Sequence, residues 1–298
     1  MSQPVIKDLI PREELLDSGH LACPGCGGAL AMRLVLKELG PKTVIALPAC
    51  CWTIVAGPYP QSALGVPVYH TAFETAASTA AGIRAALDMQ GDTETTVLAW
   101  AGDGGTFDIG LQALSGAAER NENILYVCYD NEAYMNTGIQ RSSATPWGAW
   151  TTTTPKGTPK SHPKKDILSI MAAHRIPYAA TSTIAHPLDL LAKVRRAKET
   201  HGTRFLHILA PCPPGWKTPD EQTIDLARQA VNTRVFPLLE IEDGTRWRFT
   251  FDPPQEPVAE YVRRQGRFRH LTEEQIGHIQ GEVDERWKML ERRVHESG

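Results

Sequence analysis

The chain has 298 residues, 42% of them hydrophobic and 22% charged, and a formal net charge of −3. This is the composition of a soluble globular protein with room for one α/β domain plus extensions. Scattered basic residues argue against nucleic acid, and no apolar run approaches the roughly 18–20 residues of a spanning helix. No basic-then-apolar leader opens the chain, so a cytoplasmic location with reduced thiols is expected, with neither nucleic acid nor membrane as partner.

Residues 1–20 read as an extended or partly helical arm. Apolar positions recurring through ALAMRLVLKELG (29–40) predict an amphipathic helix that stops at Gly40. Four apolar segments then read as buried parallel strands: 43–49, 95–101, 123–130 and 204–211. Helix-like stretches at 74–90 and 108–121 lie between them, and this alternation predicts an α/β fold, a doubly wound, mostly parallel sheet. Residues 145–166, rich in Thr, Pro and Lys, read as a long loop. Beyond Cys212 come a hairpin (238–251) and a charged helix (272–293). The expected division is an arm (1–20), an α/β domain (21–245) and a C-terminal extension (246–298).

Placed on this map, CWT follows the first strand, GDGG the second, NEAYMN the third and PCPPGW the fourth. All four fall at carboxyl ends, the edge along which open parallel sheets bind ligands. Gly102, Gly104 and Gly105 have no Cβ, so the chain can turn tightly and bring N–H groups to phosphate oxygens. A helix starting near 106–108 would aim its positive end at the same place. Asp103 offers a carboxylate to a hard divalent cation such as Mg²⁺, Asn131 a side-chain carbonyl, and Ala133 a backbone oxygen. Residues 105–130 allow one helix and one strand to return to the rim, a GDG…N spacing that resembles the thiamine-diphosphate fold family. The bland alternative is a glycine turn and an unrelated asparagine.

Cys23 and Cys26 form a CxxC before a helix, Cys51 follows a strand and Cys212 ends another. Four thiolates suit an iron–sulfur cluster or a tetrahedral zinc. Dispersed ligands are unlike the paired CxxC motifs of structural zinc, yet spacing leaves cluster, zinc and unliganded thiols all open. Cys128, inside a strand, reads as core, and Cys50 is expected to point away from Cys51.

HLACPGCGGALAMRL, ACCWT, the stretch from GDGG to RSSATP, and HILAPCPPGW resemble the β subunit of pyruvate:ferredoxin and other 2-oxoacid:ferredoxin oxidoreductases. The likeness runs from about residue 18 to 245 and is most specific over 102–146. It implies a thiamine-diphosphate-binding fold and a 4Fe–4S cluster on Cys23, Cys26, Cys51 and Cys212. It also implies Mg²⁺ on Asp103, Asn131 and the Ala133 carbonyl. Asn136 matches a catalytic residue beside the 2-oxoacid, and Phe73 an aromatic that lines the thiamine pocket. Tyr134, between Ala133 and Asn136, falls among the cofactor contacts. Gly28 stands where some relatives carry a cofactor-touching glutamate, and Ala49-Cys50 replaces a Thr-Gly. The implied reaction is oxidative decarboxylation of a 2-oxoacid, pyruvate first, to acetyl-CoA and CO₂, with electrons passed singly through the cluster to ferredoxin.

The implied partners are an α subunit that supplies the pyrimidine-binding domain and activating glutamate, a γ subunit, a ferredoxin-like δ subunit and an external acceptor. The C-terminal extension is expected to contact one of them. Glu74 and Glu132 are local candidates for the activating acid, but a helix-end role for Glu74 and a loop-bracing role for Glu132 suffice; His70, His174, His186 and His207 read as structural. Trp52, Trp147 and Trp150 read as packing residues. Rival readings are the same chemistry on phenylglyoxylate, a branched-chain 2-oxoacid or oxalate with NAD as final acceptor, a non-oxidative thiamine enzyme, and a zinc scaffold.

Overall fold

A computed structural model describes residues 9–297; residues 1–8 of the expected arm lie outside the described residues. The sheet contains β1 (Thr43–Pro48), β2 (Val68–Thr71), β3 (Thr96–Gly102), β4 (Leu125–Asp130), β5 (Tyr178–Thr183), β6 (Arg204–Leu209), β7 (Leu239–Glu242) and β8 (Arg246–Phe249). Their order is β2-β1-β3-β4-β6-β5-β7-β8, parallel from β2 through β5 and antiparallel for the last two. The doubly wound, mostly parallel sheet is therefore present.

β1, β3, β4 and β6 read as mostly apolar runs because both faces of the sheet are covered there. On β3, Leu98 and Trp100 enter one core while Val97, Ala99 and Ala101 enter the other. The first face carries the helices Gly27–Leu39 and Pro187–Glu199; the second carries Ala76–Met89, Leu111–Glu119 and Ile167–Ala173. The Gly27–Leu39 helix ends at Gly40, whose φ of 79° is a conformation that suits glycine.

Two strands carried no clear sequence signal. β2 is a four-residue edge strand with an exposed middle, and β5 is fully buried but built from Ala, Thr and Ser behind one Tyr. Thr181 hides its hydroxyl by donating to Pro237 O at 2.6 Å and accepting from Leu239 N at 2.8 Å.

The GDGG segment departs from the expected tight turn. None of its glycines has positive φ. The chain passes from β3 directly into a π-helical turn, Gly104–Ile109, and then the Leu111–Glu119 helix, so helical structure begins earlier than 106–108.

The C-terminal residues are continuous with the sheet. The boundary expected at 245/246 falls in the turn of the β7–β8 hairpin. The helix Glu273–Ser297 packs back through Ile276, Val283, Trp287 and Leu290, with Trp287 stacked on Phe249 at 4.5 Å between ring centroids. A third apolar cluster, including Trp216, Leu226, Phe236, Tyr261 and Phe268, joins this region to the end of β6.

Candidate active site

The four motif-bearing strands are contiguous in the sheet as β1-β3-β4-β6, so CWT, GDGG, NEAYMN and PCPPGW form one row along its carboxyl rim. Two cavities open there. One, of about 200 Å³, is lined by Phe73, Gly102, Asp103, Gly104, Gly105, Ala133 and Tyr134. The other, of about 350 Å³, is lined by all four of Cys23, Cys26, Cys51 and Cys212, and by Gly28. Cys51, Tyr129, Asn131, Met135 and Asn136 line both and form their common wall.

In the first cavity the glycines act by close approach. A Cβ on Gly104 would lie 2.3 Å from the Tyr134 ring, one on Gly105 3.2 Å from Phe73, and one on Gly102 3.3 Å from the Tyr129 hydroxyl. Tyr134 donates to Asp108 Oδ2 at 2.7 Å, which fixes the ring across the π-helical turn.

The polar floor fits a hard cation. The Asn131 side-chain amide places one atom 3.0 Å from both Asp103 Oδ1 and the Ala133 carbonyl. The amide N–H group meets both acceptors there, and turning the amide over would present its oxygen beside the Asp103 carboxylate and the Ala133 carbonyl, the kind of oxygen set a hard cation takes. Ser142 donates to Asp103 Oδ2 at 2.6 Å. Burial, and then the charge of Asp130, push the Asp103 pKa well above the usual carboxylate range. Burial also opposes ionisation of Asp130, but Lys164 and His207 overcome it and hold Asp130 down to about 2. Of these two carboxyls, Asp103 is the one that lacks a cation, and it faces the cavity.

In the second cavity all six cysteines of the chain are free thiols, but Cys50 and Cys128 are not in its wall. Cys128 is fully buried in β4. Cys50 packs against the core beside Tyr129 and borders the first cavity only, whereas Cys51 borders both; the segment is not extended here, since Cys51 has helical φ/ψ and opens the Trp52–Val55 turn. Burial raises the thiols of Cys26, Cys51 and Cys212, the last to about 12, and neighbouring thiols add to the rise at Cys51. Such a set holds its protons until a positive centre displaces them. Among the described residues, no three Cys, His, Asp or Glu side chains come close enough to hold a single metal ion. The four thiols share the lining of one cavity of about 350 Å³.

Asn136 and Thr137 are exposed on the outer rim. Glu74 is exposed outside both cavities, while Glu132 is buried in ion pairs with Lys164 and Arg267. His207 pairs with Asp130 at 2.7 Å, behind the first cavity; His70, His174 and His186 line neither cavity. Trp147 and Trp150 also line neither, and Trp52 packs edge-on to Trp100 beside the thiols.

Several contributors lacked a legible signal. Ser142 and Thr145 lie in a loop, yet Ser142 binds Asp103 and Thr145 donates to Glu132 O at 2.7 Å. Trp216 donates its indole N–H to Asn131 O at 2.9 Å, tying the segment after Cys212 to the cation loop. Tyr129, stacked on Trp100 at 5.6 Å, separates the two cavities.

Comparison with known proteins gives a consistent result. The thiamine pyrophosphate enzyme family, C-terminal TPP-binding domain, matches residues 49–208. The chain is 50% identical over 295 residues to the ketoisovalerate oxidoreductase subunit VorB of Pyrococcus abyssi, covering 95% of this chain and 94% of that one. It is 52% identical over 279 residues to the pyruvate synthase subunit PorB of Methanothermobacter thermautotrophicus, covering 92% and 96%. A solved 2-oxoglutarate:ferredoxin oxidoreductase from Magnetococcus marinus, with 2-oxoglutarate, coenzyme A and succinyl-CoA bound, matches with a TM-score of 0.59. It covers 74% of this chain and 80% of its own at 22% identity, a likeness of fold.

Proposed function

Since the chain belongs to the VorB/PorB family of β subunits of thiamine-pyrophosphate-dependent 2-oxoacid oxidoreductases, we propose that it carries the oxidative decarboxylation of a 2-oxoacid to its acyl-CoA. The observation that carries this reading is the common wall: a cavity suited to a metal-bound diphosphate adjoins a four-thiol cavity through Cys51, Tyr129 and Asn136. A non-oxidative thiamine enzyme has no use for the second cavity. When bound, thiamine diphosphate supplies a carbanion for the keto carbon and a 4Fe–4S cluster takes electrons singly.

The chain's own residues have defined tasks. Asp103, Asn131 and the Ala133 carbonyl would hold Mg²⁺, and the backbone N–H groups of Gly104 and Gly105, which line the cavity where the π-helical turn begins, would be available to the diphosphate. Phe73 and Tyr134 pack the cofactor and exclude water. Asn136, on the open rim, orients the 2-oxoacid. Cys23, Cys26, Cys51 and Cys212, which all line the second cavity, would hold the cluster. The open rim calls for partner chains to close it, bring the activating glutamate and take the electrons onward to ferredoxin.

The proposed substrate is pyruvate. A branched-chain 2-oxoacid is the second reading, favoured by the ketoisovalerate oxidoreductase relative. Anaerobic analysis tests the core of the proposal: iron and acid-labile sulfide at about four each per chain, with thiamine diphosphate and Mg²⁺ retained. Asp103→Ala should lose thiamine diphosphate and Mg²⁺ but keep iron. Undiminished cofactor in that variant would overturn the site, and zinc without iron would overturn the redox reading. A 2-oxoacid panel with the native partners then decides between the substrates.

A further inference from the structure

The cation loop contains a conformation it would not hold unaided. Glu132, between Asn131 and Ala133, has φ of 67°, the left-handed region that non-glycine residues avoid, and is 3% exposed. Its backbone is gripped at both ends. Glu132 N donates to Asp130 Oδ1 at 2.9 Å, and Glu132 O accepts from Thr145 at 2.7 Å.

The side chain is gripped as well. Lys164 Nζ reaches Glu132 Oε1 at 2.7 Å and also contacts Asp130. Arg267, 2% exposed, donates to Glu132 Oε2 at 2.5 Å. The Arg267 guanidinium lies 4.0 Å over the Trp216 ring, and Trp216 itself donates to Asn131 O. Lys164 comes from the long loop and Arg267 from the C-terminal residues, so two segments remote from the glycine motif converge behind Asn131 and Ala133.

We propose that Lys164 and Arg267 are positioning residues for the cation site, acting through Glu132. Their two positive charges neutralise Glu132 and Asp130, leaving Asp103 as the carboxylate free for the cation. Held by the two cations, Glu132 keeps its left-handed conformation and turns the Asn131 side chain and the Ala133 carbonyl toward Asp103. This gives the loop-bracing role that Glu132 suggests in the sequence a definite purpose, and sets the acid–base role aside. The inference rests on the cation-site reading above.

The test uses the complex isolated with its native partners, stripped of thiamine diphosphate and Mg²⁺ and titrated with both by calorimetry, iron content serving as the control for folding. Loss of a group that orients a metal ligand typically weakens the metal ten- to a hundredfold. Arg267→Met should raise the Mg²⁺ dissociation constant by about that factor while retaining iron, and Arg267→Lys should recover part of the loss. Glu132→Gln should weaken Mg²⁺ binding similarly, and adding Lys164→Met to it should cost less than Lys164→Met alone. This second series keeps the inference testable if Arg267→Met does not fold. Unchanged affinity in Arg267→Met, or fully additive effects of Glu132→Gln and Lys164→Met, would overturn the positioning role. Failure of the unmutated complex to bind Mg²⁺ and thiamine diphosphate, or normal binding by Asp103→Ala, would instead overturn the site reading.

Discussion

Adding one methyl group at Gly104 measures how tightly the first cavity is built. An ideal Cβ there would sit 2.3 Å from both Cδ1 and Cε1 of Tyr134. Carbon atoms rest about 3.5–4.0 Å apart, so the ring would have to retreat by more than an ångström. Tyr134 is poorly placed to yield. Its hydroxyl is bound to Asp108, its ring meets Phe73 edge-on at 5.9 Å, and its backbone pairs with Gln140. Overpacking of this kind costs about 1–3 kcal/mol. The displacement falls on the residue that follows the Ala133 carbonyl. If the whole cost appears in binding, Gly104→Ala should weaken thiamine diphosphate with Mg²⁺ by roughly 5- to 150-fold. Calorimetric titration of the assembled complex checks this, with a melting curve to register any part of the cost borne by the fold. A Gly104→Ala/Tyr134→Ala double variant should lose less than the two single changes add up to. Wild-type affinity and melting temperature in Gly104→Ala would refute the close-approach account.

Three further outcomes are expected. Cys51→Ser should lower iron content sharply while Cys50→Ser leaves it near wild type, since only Cys51 of the pair borders the thiol cavity; equal loss in both would break the assignment. Burial alone would raise the pKa of Glu240, but the Tyr178 hydroxyl at 2.6 Å and Arg248 hold it below the usual carboxylate range. Its contribution to stability is thus present above the unfolded pKa of about 4.3 and lost as pH falls through the lower folded value. Glu240→Gln should be less stable than wild type in urea at neutral pH, with the gap closing below about pH 4; a gap unchanged in acid would contradict this. Trp287→Ala removes a 5%-exposed indole stacked on Phe249 and should destabilise the fold by about 3–5 kcal/mol. A change under about 1 kcal/mol, small for any buried site, would mean that the terminal helix is only loosely attached.

The rim was legible because its signals are local. Each motif directly follows an apolar run, and runs buried on both faces are easy to see in β1, β3, β4 and β6. β5 was not, because its buried run is Ala, Thr and Ser rather than large apolar residues, with Thr181 and Ser182 hiding their hydroxyls on Pro237 and Asp189. The glycines were expected to make a tight turn, but none of them has positive φ, and close neighbours account for the missing side chains instead. Only the fold reveals that Tyr134 and Phe73, rather than a turn, require a missing Cβ. Ser142, Lys164 and Arg267 reach their partners across 39, 32 and 135 residues. No periodicity reports on separations of that size. The terminal helix shows the same limit: its charged face is plain in the sequence, while the surface that receives Trp287 is assembled by β8.

The partition between the two cavities restricts how such a protein can be altered. Tyr129, Asn131, Met135 and Asn136 each border both chambers, so a substitution chosen to reshape the first chamber also reshapes the surroundings of the thiols. Ala49, Thr53, Phe73 and Thr137 border the first chamber alone, so they are the positions at which it can be reshaped without disturbing the thiols. Conversely, Leu21, Trp52, Ile54 and Pro213 border only the thiol side and offer a way to adjust its polarity without touching the first chamber.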